Sequence, residues 1–486
     1  MATSKSAFQL KALNDGVHEL VFDLPGEKVN KLGTVVMGEL KGILQNLQKN
    51  TAVKILLIKS AKPNIFIAGA DINEIENIRT PEDALEKAHE GQNIVGMIES
   101  LPFPTVAVID GACVGGGLEF ALSCTYRVAS DNPKTQLGLP EVNLGIIPGW
   151  GGTQRLPKLV GLAQGLTMIL TGKYLGGAQA LKVHLVDACY PQAFLEDRLS
   201  EFVARVLDRK GRSQVLEARK LRGLGPNFLQ SILGRGLVYS ASKKSVMSAT
   251  RGFYPAPLAA LRVVKATYGG GLKHGLEIER KAFGELAHGE ISKNLVRIFF
   301  TSEALRKDPG VVMKGEAKNV ESAAVLGAGV MGGGIAWLFS KSDIPVRMKD
   351  LNWKAIGKGY EAAAQNYAYL KKTKKLDERQ VNLKMHHISG TTDFSGFENL
   401  DIVVEAVVED LEIKKKVLAE TETHIRKDAV IATNTSSLAV TDMSKGLKDP
   451  SRFVGMHFFN PVNRMPLVEV VGGKQSSDEA IALTVA

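Results

Sequence analysis

Two glutamates set among glycines are the residues best suited to acid–base chemistry in this sequence. Glu119 directly follows the glycine-rich run Gly115–Leu118, and Glu141 ends the segment Gly138-Leu-Pro-Glu. Apolar surroundings raise the pKa of a carboxyl group, and two neighbouring carboxylates drive their pKa values apart. Such a pair can supply one general acid and one general base near neutral pH. Either glutamate alone could equally decorate a helix or an exposed turn, but the glycine run beside them favours a site.

These segments resemble the crotonase (enoyl-CoA hydratase/isomerase) superfamily, in the arrangement of multifunctional fatty-acid β-oxidation enzymes of the α-subunit type. The resemblance is carried by Gly115–Glu119 and by the continuous run Gly138–Leu156. It implies a coenzyme A thioester substrate whose carbonyl is polarised by two backbone amides, those of Ala70 and Gly116. It also implies that Glu119 activates the water that adds at the β-carbon, and that Glu141 delivers a proton to the α-carbon.

Family members that lack one of the two glutamates tend to isomerise their substrate. Since both Glu119 and Glu141 are present, the resemblance favours hydration. Trp150 occupies a position that often holds a smaller residue in the family, so we expect it to shape the acyl pocket. A buried tryptophan with a purely structural role is the alternative. Asp71, after the glycine of Phe66–Ala70, is expected to cap the following helix.

A second glycine-rich segment predicts a dinucleotide site. Gly327, Gly329 and Gly332 fit Gly-x-Gly-x-x-Gly between an apolar strand and a helix start, and Asp350 ends the next strand 23 residues after Gly327. The pyrophosphate of the cofactor would lie at the amino terminus of the helix, and the acid would bind the ribose 2′-hydroxyl, which favours NAD over NADP. The alternative is a glycine turn that binds nothing.

The segments after Asp401 resemble the L-3-hydroxyacyl-CoA dehydrogenases. By this resemblance His457 is the base that accepts the hydroxyl proton and Glu469 orients it, on adjacent strands joined by a turn at Asn460-Pro461. Ser436 matches the serine that contacts the substrate hydroxyl. Glu409 and Lys414 match positions near the cofactor. The family continues into a helical domain beyond the point where this sequence ends, so hydride transfer is expected to be weak and NAD binding to survive.

Apolar and polar periodicity predicts an α/β protein. Phe8–Leu13 and Val17–Phe22 read as a hairpin around Asn14-Asp-Gly, and buried strands then alternate with helices. The resemblances refine this to a crotonase-like ββα spiral domain followed by a Rossmann NAD-binding domain. The expected limits are 1–190 for the first domain, 191–307 for a helical extension, 308–318 for a linker, and 319–486 for the Rossmann domain. The helical extension is expected to be interrupted by Pro226, Pro255, Pro257 and Gly269-Gly270-Gly271.

Composition narrows the functional class. The net charge of +10 is spread along the chain without a nucleic-acid motif, and an anionic coenzyme A thioester suits it equally well. The cysteines Cys113, Cys124 and Cys189 have neither disulfide nor metal-ligand spacing, so no metal is expected. No transmembrane run or targeting segment is apparent. A bacterial cytoplasmic location is expected, with mitochondria and peroxisomes left open.

The leading interpretation is therefore a bifunctional β-oxidation enzyme that hydrates trans-2-enoyl-CoA and oxidises L-3-hydroxyacyl-CoA with NAD. One alternative is mainly a Δ3-Δ2-enoyl-CoA isomerase. Another is a non-catalytic acyl-CoA or NAD binding module that serves as a scaffold for a thiolase. By resemblance, a thiolase β-chain is the expected partner in either a catalytic or a scaffolding role, although some relatives are monomeric.

Overall fold

The chain forms two compact units in the computed structural model, an amino-terminal unit over Met1–Thr301 and a carboxy-terminal unit over Ser302–Ala486. The structure describes residues 6–219, 228–229, 231–308, 310–311, 318–373 and 375–486. Most of the predicted linker at 308–318 lies outside these residues, as does Pro226. None of the helices in the described part of the chain has the length and apolar character needed to cross a bilayer.

The amino-terminal unit is built on two sheets. Its strands are β1 (Phe8–Ala12), β2 (Val17–Phe22), β3 (Ile55–Ser60), β4 (Ile65–Ile67), β5 (Thr105–Ile109), β6 (Ala112–Val114), β7 (Tyr126–Ser130), β8 (Gln136–Gly138) and β9 (Ala188–Tyr190). The larger sheet has the order β1-β2-β3-β5-β7-β9 and the smaller one the order β4-β6-β8. Among these strands, β1 and β2 pair antiparallel and the others parallel, which confirms the predicted hairpin around Asn14-Asp-Gly.

The order of the strands along the chain explains why the two sheets lie beside each other. Each of the pairs β3/β4, β5/β6 and β7/β8 gives its first strand to the larger sheet and its second to the smaller one, and helical segments follow each pair. The strands β5 and β7 are buried throughout, as expected for parallel strands covered on both faces. This repeat is the predicted ββα spiral, so the fold class is confirmed.

Helices surround the sheets and extend beyond them. They are α1 (Thr34–Leu47), α2 (Ile72–Glu76), α3 (Pro81–Glu99), α4 (Gly116–Ser123), α5 (Gly152–Val160), α6 (Leu162–Thr171), α7 (Gly177–Lys182), α8 (Leu195–Leu207), α9 (Arg209–Ala218), α10 (Ile232–Thr250), α11 (Pro255–Thr267), α12 (Leu272–Ala287) and α13 (Glu290–Leu305). Short 3-10 turns lie at Asn14–Gly16, Glu141–Leu144 and Gln192–Phe194.

The helical region is interrupted next to Pro255, as predicted, but Pro255 and Pro257 themselves belong to the next helix. Pro255 is the first residue of α11 and Pro257 lies in its first turn. The first turn of a helix has backbone N–H groups without intrahelical acceptors, so a proline there loses no hydrogen bond. These prolines therefore start the helix at this point, and the interruption before them is the turn at Arg251–Tyr254.

The carboxy-terminal unit contains one sheet. Its strands are β10 (Ala323–Leu326), β11 (Val346–Lys349), β12 (Ile388–Thr391), β13 (Ile402–Glu405), β14 (Val430–Thr433), β15 (Phe453–Phe458) and β16 (Val468–Gly472). The order is β12-β11-β10-β13-β14-β15-β16, parallel except for the last pair. This is the doubly wound order of the Rossmann fold with one antiparallel strand added, so the predicted class is confirmed.

The helices of this unit connect the parallel strands. They are α14 (Val330–Lys341), α15 (Trp353–Lys372), α16 (Glu378–His386), α17 (Leu411–Glu422), α18 (Val440–Ser444) and α19 (Asp478–Val485), with a 3-10 turn at Pro450–Arg452. The order in which the strands follow one another across the sheet changes direction between β10 and β13, which are neighbours in the sheet. Ligands of such sheets bind at the carboxyl ends of the strands on either side of this reversal.

A buried arginine holds the end of α4, the helix that carries Glu119. The guanidinium of Arg127 donates through Nη1 to the carbonyls of Ala121 and Cys124, and through Nε to the carbonyl of Leu185. Its side chain is almost fully enclosed. The Ala121 carbonyl also accepts from the Cys124 amide, so Arg127 adds a buried, charged donor to the last carbonyls of α4, and we expect it to fix the carboxyl end of that helix.

Replacing Arg127 by methionine should therefore destabilise the amino-terminal unit by about 3–5 kcal/mol, since buried acceptors would lose their charged partner. Chemical denaturation followed by circular dichroism measures this change. The matched control is Arg198→Met, which removes an exposed arginine paired with Glu201 at 2.8 Å. It should leave stability unchanged. Equal effects of the two substitutions would contradict the role of Arg127.

Candidate active sites

One cavity in the amino-terminal unit brings together the predicted residues of the first site. It has a volume of about 140 Å³ and is lined by Glu119, Glu141, Ala70, Gly116 and Trp150. The rest of its wall is mostly apolar, with side chains from α2, α3 and the loop before α5. The two carboxyl groups thus share one largely apolar cleft, as the sequence predicts.

Glu119 is held by backbone amides. It lies in the first turn of α4 with 2% of its surface exposed. Its Oε1 atom accepts hydrogen bonds from the amides of Trp150 and Gly152, both at 2.7 Å. Burial raises the pKa of Glu119 to about 7, even though these amides favour the ionised form. The carboxyl group therefore gains and loses its proton near neutral pH.

Glu141 has no such support. It opens the 3-10 turn Glu141–Leu144, and neither of its carboxyl oxygens hydrogen-bonds to another group in the described part of the chain. Burial raises its pKa well above the usual value, and the charge of Glu119 raises it further. Without donors to stabilise the anion, Glu141 holds its proton when Glu119 has released its own. The geometry therefore separates a base, Glu119, from an acid, Glu141.

Two backbone amides without hydrogen-bond acceptors among the described residues lie close together in the wall of the same cavity. The residues before them, Gly69 and Gly115, have φ angles of +109° and +55°, which turn the next peptide group. Neither Ala70 N nor Gly116 N donates a hydrogen bond to a described residue. A Cβ built on Gly116 would lie 3.2 Å from Ala70 N, so the two amides are neighbours. Such a pair of free donors can hold an oxyanion.

Trp150 closes part of the same cavity. A Cβ built on Gly91 would lie 2.1 Å from its Nε1 atom, and one built on Gly116 would lie 2.6 Å from its Cζ3 atom. The indole ring therefore packs directly on two glycines, one in α3 and one in α4. Trp150 both lines the cavity and, through its amide, binds Glu119. Asp71 caps α2 by accepting from the Asn73 amide, as expected.

A third buried glutamate near the cavity escaped the sequence analysis. Glu279 of α12 is fully enclosed and binds the same loop that binds Glu119. The sequence does contain a signal for it, because Glu279 lies in an i, i+4 stripe of otherwise small or apolar residues, Gly275, Phe283 and Ala287. An acid within an apolar stripe indicates a buried polar contact.

The predicted dinucleotide loop follows β10 in the carboxy-terminal unit. Gly327 has a φ of +92°, and a Cβ built on it would lie 2.6 Å from the carbonyl oxygen of Ala406. A Cβ on Gly332 would lie 1.7 Å from the carbonyl oxygen of Gly327, whereas the space beside Gly329 is open. Gly329 is also the amino-terminal cap of α14. This backbone cradle fits the pyrophosphate of a dinucleotide.

Asp350 lies at the end of β11, beside the glycine loop. Its Oδ2 atom accepts from the Ala328 amide at 2.7 Å and its Oδ1 atom from the Leu351 amide at 2.6 Å. The carboxylate thus stands next to the cradle, where the adenosine ribose of a bound dinucleotide would lie. An anion at this point repels a 2′-phosphate and accepts from a 2′-hydroxyl.

His457 and Glu469 face each other across the last strand pair. They are directly opposite in the antiparallel register of β15 and β16. His457 Nδ1 lies 2.8 Å from Glu469 Oε2, and the segment joining the strands contains Asn460 and Pro461. The predicted adjacency of the two strands is therefore confirmed. A carboxylate on Nδ1 leaves Nε2 of the imidazole for proton transfer.

Lys414 is fully enclosed by protein. Its Nζ atom donates to both carboxyl oxygens of Glu405, at 2.7 and 3.0 Å, and lies 3.4 Å from Glu409 Oε2. Ser436 is exposed, and its amide donates to Glu409 Oε1. Because no part of Lys414 reaches the surface, it supports Glu409 and the loop after β14. Glu405, its main partner, was not predicted.

Among the described residues, no group of three or more His, Cys, Asp or Glu side chains is arranged to hold a metal ion. The cysteines Cys113 and Cys124 are buried, and burial raises the pKa of both thiols. Both are therefore neutral and take no part in either site.

Comparison with known proteins identifies two enzyme families along this chain. The family described as enoyl-CoA hydratase/isomerase matches residues 12–220, and the family described as the NAD binding domain of 3-hydroxyacyl-CoA dehydrogenase matches residues 322–486. A fatty acid oxidation complex subunit alpha from Vibrio vulnificus is 40% identical over all of this chain and 68% of its own length. The corresponding subunit from Vibrio parahaemolyticus is 39% identical with the same coverage.

The chain belongs to the family of fatty acid oxidation complex alpha subunits. A solved enoyl-CoA hydratase from Bacillus anthracis is 26% identical, covers 54% of this chain and 96% of its own, and has a TM-score of 0.40. The predictions of a β-oxidation enzyme, and of an enoyl-CoA hydratase/isomerase domain followed by a dehydrogenase NAD binding domain, are confirmed.

The isolated burial of Glu141 leads to a prediction about stability. Its pKa is raised on folding, so above the unfolded value of 4.5 the unfolded chain releases a proton that the folded chain keeps. Folding stability is therefore lost as pH rises above this value. Glu141→Gln should raise the free energy of unfolding at pH 8, where the buried carboxyl group is under pressure to ionise, and change it little at pH 4.

Calorimetry of the original chain and of Glu141→Gln between pH 4 and pH 8 measures the difference in the free energy of unfolding. The control is Glu285→Gln, an exposed glutamate of α12, which should give no pH-dependent gain. A variant less stable than the original chain at pH 8 would show that Glu141 has a stabilising partner.

Proposed function

We propose that the amino-terminal unit hydrates trans-2-enoyl-CoA to L-3-hydroxyacyl-CoA. The single observation that carries this proposal is the cavity in which a hydrogen-bonded glutamate and an unsupported one stand beside two free amides. Hydration needs a base for water, an acid for the α-carbon and a site for the enolate oxygen. Each of these has a counterpart in the cavity wall.

In the proposed reaction, the amides of Ala70 and Gly116 bind the thioester oxygen. Glu119 takes a proton from water as the water oxygen bonds to the β-carbon, and the electron pair of the double bond moves to the thioester oxygen. The enolate then collapses as Glu141 gives its proton to the α-carbon. One amide donor of this kind contributes about 3–4 kcal/mol to transition-state stabilisation. The loops that place the amides of Ala70 and Gly116 therefore matter to the rate as much as the two glutamates. The Trp150 ring would limit the space available to the acyl chain of the substrate.

For the carboxy-terminal unit, we propose oxidation of L-3-hydroxyacyl-CoA. His457 would accept the hydroxyl proton while Glu469 stabilises the imidazolium. Bound NAD supplies the hydride acceptor. Gly327, Gly329, Gly332 and Asp350 would hold this cofactor, Glu409 and Lys414 would support the neighbouring loop, and Ser436 would contact the substrate hydroxyl. The residues present fit NAD, since a cradle with open backbone amides lies beside an acid.

Further features of the proposal rest on the family. We expect domains at 1–190 and 319–486 with helical residues 191–307 and a linker at 308–318 between them. We expect chemistry without a metal, a bacterial cytoplasmic location and a thiolase β-chain as partner. Copurification of a thiolase with the tagged chain tests the partner.

Substitution of each acid tests the hydration. Glu119→Gln and Glu141→Gln should each lower kcat for crotonyl-CoA by ~10²–10⁴-fold, since each removes one proton-transfer group. In the original chain, kcat/KM should rise through about pH 7 as Glu119 ionises, and fall at higher pH as Glu141 loses its proton. Absorbance of the conjugated thioester follows the reaction.

The same variants separate hydration from isomerisation. A 3-enoyl-CoA substrate follows the double-bond shift, which one proton-transferring group can perform. Faster isomerisation than hydration by the original chain, together with full hydration by either variant, would indicate an isomerase. Binding of crotonyl-CoA without any turnover would indicate a non-catalytic scaffold.

Asp350 gives a prediction for the second unit. Asp350→Asn should weaken NADH binding by ~10-fold, because a charged acceptor for the ribose hydroxyl is lost. The factor by which NADH binds more tightly than NADPH should become smaller. Fluorescence titration measures both dissociation constants. Asp343→Asn is a matched control, since Asp343 has a φ of +63°, which asparagine tolerates, and pairs with Lys384 away from the loop. Tighter binding of NADPH than NADH by the original chain would contradict the assignment.

A further inference from the structure

Glu279 is a buried acid that the proposed reaction does not use. It lies on α12 with no exposed surface and does not line the cavity. Its partners are neutral donors. Oε1 accepts from the Gly151 amide at 2.6 Å and from Gln92 Nε2 at 3.3 Å, and Oε2 accepts from the amide and hydroxyl of Thr153. Four donors on two oxygens is the full complement of an ionised carboxylate.

The loop before α5, together with Gly152 and Thr153 at the start of α5, binds both Glu279 and Glu119. Its amides alternate, since those of Trp150 and Gly152 donate to Glu119 and those of Gly151 and Thr153 donate to Glu279. The four consecutive amides are thus held between two carboxyl groups, one on each side. Loss of either carboxyl group would leave buried amides unpaired and free the loop to change conformation.

We propose that Glu279 is a positioning residue for the hydration, which holds the amides of Gly151 and Thr153 so that those of Trp150 and Gly152 remain directed at Glu119. This inference rests on the proposed hydratase function of the same site. Glu279 touches neither the cavity nor the reacting atoms, and it acts through the loop.

Several charged groups surround Glu279 and bear on its effect. They are Glu119 of α4, Glu141 of the 3-10 turn, Arg155 of α5 with its partner Glu99 of α3, and Arg280 of α12, which binds Gln92 and His89 of α3. Arg262 and Lys265 of α11 are exposed. Burial, followed by the charge of Glu119, raises the pKa of Glu279 to about 8.

Two effects of removing Glu279 act on Glu119 in opposite directions. Where Glu279 is ionised, removing its negative charge would lower the pKa of Glu119. Loosening the loop would weaken two hydrogen bonds to the ionised form and raise that pKa. The sign of the change therefore distinguishes a positioning role from a purely electrostatic one.

The test compares Glu279→Gln, Thr153→Val and Glu277→Gln with the original chain. Glu277→Gln is the matched control, since it removes the same charge from an exposed position of the same helix, paired with Lys281. We expect Glu279→Gln to lower kcat for crotonyl-CoA ~10-fold with little change in KM, and to move the acid limb of kcat/KM upward by about one pH unit. Thr153→Val should shift the same limb upward by less, without any change of charge.

Infrared or ¹³C NMR titration of Glu119, assigned with Glu119→Gln, measures its pKa without turnover. This titration keeps the inference testable if the original chain fails to hydrate crotonyl-CoA, a result that would instead overturn the proposed function. An upward shift in Glu279→Gln and Thr153→Val, but not in Glu277→Gln, supports the positioning role. An unchanged or lowered pKa of Glu119 overturns it. If Glu279→Gln fails to fold, Thr153→Val alone decides between these outcomes.

Discussion

Burial of carboxyl groups without a matching cation is the constraint on which the first site depends. Moving a carboxylate out of water is unfavourable unless hydrogen bonds or opposite charges compensate, and where they do not the group keeps its proton. Glu119 receives two amide hydrogen bonds and Glu141 receives none from the described residues. This difference in hydrogen bonding, together with the charge of Glu119 acting on Glu141, separates the proton affinities of two chemically identical side chains.

The same constraint explains why so much of the chain around the cavity is glycine backbone. The donors to Glu119 and to the expected oxyanion are main-chain amides, as are two of the four donors to Glu279, and amides can converge only where the chain turns closely. Gly69 and Gly115 make such turns before the two free amides. Arg127 fixes the far end of the helix on which Glu119 lies. In the second unit, burial of Lys414 against Glu405 supports the loops beside the glycine cradle in a comparable way.

Much of this organisation could be predicted from local sequence. The hairpin at Asn14-Asp-Gly, the two α/β units, the glycine cradle and the opposition of His457 and Glu469 follow from turn chemistry, periodicity and short spacings. Contacts between residues distant in sequence could not be predicted in the same way. Glu279 reaches a loop 126–128 residues away, and nothing near it in sequence indicates that partner. The helical region is interrupted next to Pro255, but Pro255 and Pro257 lie in the first turn of α11, because position within the helix decides whether a proline breaks or starts it.

The most direct test of the account is a crystal structure of the chain bound to acetoacetyl-CoA, a thioester that mimics the substrate and is not hydrated. The account predicts that the thioester oxygen lies within about 3 Å of both Ala70 N and Gly116 N, with the carboxyl groups of Glu119 and Glu141 beside the α- and β-carbons. A thioester bound elsewhere, or an oxygen in contact with neither amide, would contradict it.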